Sequence, residues 1–179
     1  FWARDGVPVP LVTEAPQMLS LVDARYYYPF EADQIVAGLF KSPLISHDYY
    51  FEGGNFMANG KGDCLIVDKS ATQDIPSSVF SSKYGCRTLL RLPHEKGIGH
   101  ADESVKFISD DTVLTDTPSY IPLLEEQGFK VTQLPRPENY YETYVNALIV
   151  ENIVYLPIFD QPSDQEAIQI YESFGFQVI

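Results

Sequence analysis

The stretches "EEQGFKV" and "ESFGFQV" set Gly128 in step with Gly175, Phe129 with Phe176 and Val131 with Val178, 47 residues apart. Self-similarity at a period of a few tens of residues marks a repeat architecture, and it limits the fold more tightly than any composition figure. The later copy is the clearer. Its β-rich runs 145–150 and 153–158 meet at Glu151-Asn152, a hairpin-length gap. Ser163 and Glu166 then fit an S-x-x-E capping box, Gly175 fits a C-cap, and "FQVI" reads as a closing strand.

The same plan recurs upstream. "VKFISDDTVLTDTPSYIPLLEEQGFKVTQL" turns at Ser109-Asp110-Asp111, and its helix starts near Thr117-Pro118. "NFMANGKGDCLIV" turns at Asn59-Gly60, followed by a helix near 73–84 and Gly85 before "RTLLRL". The first copy is fainter: "VPVPLVT", "MLSLVDA", a helix near 31–41, then "SHDYYFE". Four ββαβ units define an α/β repeat protein in which each unit buries its face against its neighbours. Closing them into a ring would leave no exposed end.

Charge narrows the function classes. Lys and Arg number 12 against 25 Asp and Glu, for a net charge of −13. That balance argues against nucleic acid and anionic membranes as partners, which require a basic footprint, and suits a cationic ligand. The two cysteines, Cys64 and Cys86, are expected to form neither a disulfide framework nor a metal site. Cys64, in an apolar "CLIV" run, reads as a buried small hydrophobe. His47 and His94 supply no metal-binding spacing, so no metal is expected.

The chemistry-bearing residues fall between the units: "FWARD", "FEGGNFMANGKG", "GIGHADESVKF" and the stretch around Asn146. Gly53-Gly54 permits close approach of the backbone. In an extended segment His100 and Asp102 would face one pocket, since positions i and i+2 point the same way.

In order and spacing, "WARD", "EGGNF…NGKG", "GHADESVKF" and "YVNALIVENIVYLPIF" resemble the agmatine deiminase and bacterial peptidyl-arginine deiminase family. The resemblance implies a pentein-type α/β propeller of five ββαβ blades. About four are present here, so 1–179 is expected to be an incomplete pentein domain cut at both ends. It implies that Asp5 and Asp102 bind the guanidinium and that His100 is the general acid/base, with Trp2, Asn55 and Asn146 at the substrate pocket. Two carboxylates suit a planar, permanently charged fork of N–H donors. The family's nucleophilic cysteine is expected beyond Ile179, which would leave this chain inactive alone and its exposed blade edges prone to association.

Substrate choice is less marked. Arg25 stands in "DARYYYPFEAD", with Tyr28 and Phe30 where the peptidyl-arginine branch has carboxylate-reading arginines, so a small free guanidine such as agmatine is favoured. An agmatine-type enzyme would be cytoplasmic and a peptidyl-arginine type exported. A non-catalytic pentein binding module and an amidinotransferase are the alternatives.

Overall fold

The computed structural model describes residues 4–13, 18–23, 25–26 and 32–179. These form two compact units, residues 1–94 and 95–179, each holding two three-stranded sheets. In the first unit, β1 (Val9–Thr13), β2 (Met18–Val22), α1 (Ala32–Phe40) and β3 (Leu44–Ile45) make one sheet and its helix. β4 (Met57–Ala58), β5 (Asp63–Asp68), α2 (Ser77–Lys83) and β6 (Thr88–Pro93) make the other. The second unit repeats the plan with β7 (Val105–Phe107), β8 (Thr112–Thr115), α3 (Ile121–Glu126) and β9 (Lys130–Gln133). Its last sheet comprises β10 (Leu148–Val150), β11 (Ile153–Tyr155) and β12 (Gln177–Val178), with α4 (Ser163–Ser173) before β12.

All four sheets share one topology. The first strand pairs antiparallel with the second, and the second pairs parallel with the third. A tight turn cannot join parallel neighbours, so the helix always falls between the second and third strands. The middle strand has neighbours on both edges and is accordingly apolar: Cys64, Leu65, Ile66 and Val67 of β5 are all buried. The four ββαβ units read from the sequence are therefore present.

The period-setting glycines end their helices as expected. Gly128 and Gly175 sit at φ 90° and 89°, each donating its N–H to the helix's last turn, at Glu125 and Glu172. Only glycine occupies that region without strain.

Local chemistry departs from expectation in several places. The Asn59-Gly60 hairpin is a four-residue loop, Asn59–Gly62. The Asn59 carboxamide oxygen accepts the N–H groups of Lys61 and Asp63, and this side-chain turn lengthens the connection. The capping box at Ser163 does not form: Ser163 is the first helical residue and makes no cap bond. Instead Asp164 accepts the N–H groups of Phe159 and Gln161 and the hydroxyl of Tyr144. The third helix begins with a 3₁₀ turn at Pro118–Tyr120, and the first sheet closes at Leu44–Ile45 rather than in "SHDYYFE".

The largest correction concerns the cysteines. Cys64 and Cys86 are joined in a disulfide, their Cα atoms 5.7 Å apart. The bond sits in the core of the first unit among Phe51, Phe56, Phe80 and Tyr84. These rings meet edge-on, tilted or stacked, with centroids 4.9–6.4 Å apart. The core of the second unit gathers Leu114, Leu134, Tyr144, Val154, Ala167 and Tyr171.

Candidate active site

Asp5 lies in the turn that opens the first unit and is 4% exposed. Its carboxylate Oδ1 accepts the N–H of Gly54 at 3.1 Å, and its carbonyl accepts the N–H of Gly53 at 3.2 Å. The 3₁₀ turn Gly53–Asn55 thus wraps around the aspartate. A Cβ on Gly53 would stand 2.4 Å from the Arg4 carbonyl oxygen, so the approach read from "GG" is required here. Arg4 fixes the other side, its Nη2 donating to the Phe56 carbonyl at 3.1 Å.

Asn55 is fully buried. Its Nδ2 donates to the Val67 carbonyl and its Oδ1 accepts the Val67 N–H, both at 2.8 Å. Glu52, just before the turn, is paired with Lys69 and accepts the Tyr50 hydroxyl at 2.7 Å. Trp2 lies outside the described residues.

In the second unit His100 is 2% and Asp102 5% exposed. They do not share an extended strand. His100 is extended at φ −103°, ψ 143°, but Ala101–Glu103 is a 3₁₀ turn, so the alternation expected between 100 and 102 is broken. Glu103, in that turn, accepts the Ile98 N–H at 3.2 Å, and a Cβ on Gly97 would meet its Oε2 at 2.4 Å. The Tyr140 hydroxyl accepts the Gly97 N–H at 2.9 Å. The glycine-rich approach to His100 is therefore pinned at both ends.

Beneath it lies a buried ion pair. Lys96 Nζ pairs with Asp116 Oδ1, and the Thr117 and Thr143 hydroxyls donate to the same carboxylate at 3.1 and 2.8 Å. Burial pulls the Lys96 pKa below its ordinary value, while Asp116 pushes it back up. Thr143 also accepts the Val145 N–H at 3.1 Å, and Lys106 donates to the Ala147 carbonyl at 2.7 Å. These bonds bracket Asn146, whose side chain is exposed in the bend before β10.

Residues 1–176 match the family model described as the Porphyromonas-type peptidyl-arginine deiminase. The chain belongs to this peptidyl-arginine deiminase family. No curated protein matches it. Among solved structures, C. jejuni agmatine deiminase superposes with a TM-score of 0.77 at 19% identity, over 99% of this chain and 66% of that one. Agmatine deiminase of Enterococcus faecalis gives 0.80 at 18%, over 99% and 68%. A cysteine-to-serine variant of dimethylarginine dimethylaminohydrolase from Pseudomonas aeruginosa, complexed with citrulline, gives 0.70 at 16%, over 99% and 67%. The chain thus spans about two thirds of the length of these structures and shares their pentein-type α/β fold throughout the matched part.

For this peptidyl-arginine deiminase family member, the sequence reading missed Arg4, Lys96, Asp116 and Thr143. A lysine in a glycine-rich loop and a lone aspartate after a strand carry no pairing signal, because the partners are 20 residues apart and meet only through the β7–β8 hairpin. Arg4 stood in the quoted motif, yet its task, holding the Phe56 carbonyl, depends on a turn 52 residues away.

Proposed function

We propose that the protein is a hydrolytic deiminase of a guanidino group, releasing ammonia through a covalent cysteine adduct. The observation that carries this reading is the burial of Asp5, His100 and Asp102 on glycine-built turns, within a family match that runs through all three. Burial alone does not set these three apart, since Asp116 and Asp164 are buried too; what does is that they fall in the ordered family motifs as well. In this reading the two units are parts of one five-bladed propeller domain.

Asp5 and Asp102 hold the guanidinium, keeping it charged and its carbon electrophilic. A thiolate attacks that carbon. His100 protonates the departing nitrogen, ammonia leaves, and a thiouronium adduct remains. The neutral imidazole then draws a proton from water, which attacks the adduct, releases the ureido product and regenerates the thiolate. No cofactor takes part. Trp2 and Asn146 are assigned to the pocket wall. Asn55, held on the Val67 main chain, serves the site by shaping the Gly53–Asn55 turn.

Neither cysteine of this chain fits the nucleophile, since each is bonded to the other. The reading therefore places the thiol beyond Ile179 in the parent polypeptide and leaves residues 1–179 inactive alone. The disulfide also favours the exported, peptidyl-arginine form of the activity over an intracellular agmatine form, because structural disulfides persist in oxidising compartments.

The test is turnover by the full-length polypeptide on agmatine and on a peptide ending in arginine, reading ammonia and the ureido product. Ammonia with either product is the expected result. Amidino transfer to an added amine without ammonia, or no reaction with either guanidine, would overturn it.

A further inference from the structure

Asp116 directly follows β8, is 2% exposed, and is not among the residues assigned to the reaction. Its carboxylate receives two long-range donors. One is Lys96, whose carbonyl accepts the Gly99 N–H at 3.2 Å, next to His100. The other is Thr143, whose hydroxyl oxygen also accepts the Val145 N–H, next to Asn146. A third donor, Thr117, is its chain neighbour. Two loops that share no strand thus end on one buried carboxylate.

We propose that Asp116 is a positioning residue that couples the loop carrying His100 and Asp102 to the segment carrying Asn146, so that the two move together; its bearing on turnover rests on the deiminase reading above. A buried ion pair is a poor source of stability, because desolvation of both charges opposes their attraction. Such a pair is better suited to fixing geometry. Lys96 offers three donors on a flexible stem and the carboxylate has four lone-pair sites, so Lys96, Thr117 and Thr143 together determine its orientation.

The proposal separates from a merely structural role through hydrogen exchange at Gly99 and Val145. In the full-length protein, Lys96→Met is expected to quicken exchange at least fivefold at Gly99 and also at Val145. Thr143→Val is expected to quicken Val145 and also Gly99. Effects confined to each variant's own segment would overturn the coupling. The double variant Lys96→Met/Asp116→Leu replaces the pair with apolar side chains and leaves no orphaned charge. It is expected to melt within a few degrees of the parent while kcat/KM per folded molecule falls at least thirtyfold; parental turnover from a folded double variant would overturn the proposal. Should the unaltered protein turn over no guanidine, the deiminase reading fails and the exchange data alone decide the coupling.

Discussion

Gly54 donates its backbone N–H to the carboxylate of Asp5, a contact that spans 49 residues of chain and takes up an oxygen of a buried acid. A charged group this deeply buried persists only with hydrogen-bond donors supplied to it, and a glycine turn presents main-chain N–H groups at close range. The predictions that follow begin from this turn.

Gly53→Ala places a methyl group against the Arg4 carbonyl at 2.4 Å, where main chain meets main chain and no side chain can yield. The variant is expected to lose about 1–3 kcal/mol of stability. Ammonia release by the full-length protein should fall with it, because Asp5 is displaced. Urea titration and turnover of the same preparation check both.

Gly128→Ala and Gly175→Ala are a contrasting pair. Neither added Cβ meets anything within 4 Å, so the cost is backbone strain alone, at φ 90° and 89°. Each should destabilise by about 1–2 kcal/mol and leave kcat/KM per folded molecule unchanged. Thermal melts with parallel assays distinguish this from the Gly53 result.

The disulfide closes a loop between residues 22 apart, a constraint worth about 3 kcal/mol through the unfolded chain. Cys64→Ala/Cys86→Ala should therefore lower the urea midpoint yet retain deiminase turnover in the full-length protein. Complete loss of turnover from a folded double variant would show that one of these sulfurs does the chemistry.

His47 predicts a pH effect. Burial is the main cause that holds its imidazole below the ordinary value of 6.5, with nearby Arg25 adding to it and Asp23 opposing, and Nε2 lies 2.7 Å from the Tyr84 hydroxyl. The unfolded chain therefore protonates first on acidification. The contribution of the neutral imidazole is complete above pH 6.5 and is lost as pH falls through the lower folded value. Melting temperatures between neutral and mildly acid pH should decline in the parent and decline less in His47→Gln.

The repeats were legible because their signals are local: a turn, a helical stretch and a glycine at φ near 90° within one unit. The motif residues were read from their order and spacing along the whole chain. What escaped was pairing across distance. Cys64 pairs in register with Leu89 of β6, and only that register brings Cys86 within bonding range of it. The turn at Ala101–Glu103 escaped because it is built from backbone bonds three residues apart, Glu103 N–H to the His100 carbonyl and Ser104 N–H to the Ala101 carbonyl, which no alternation pattern encodes.

Asn55 gives the Gly53 turn its freedom. β4 begins only at Met57, which leaves the N–H and carbonyl of Val67 in buried β5 beyond the reach of any β4 residue. One carboxamide satisfies both, standing in for the strand that is not there. The chain can therefore join its sheet two residues late without stranding two buried polar groups, and the backbone just before it is what bends round Asp5. A turn stands where a strand would otherwise run, and a single side chain makes the exchange possible.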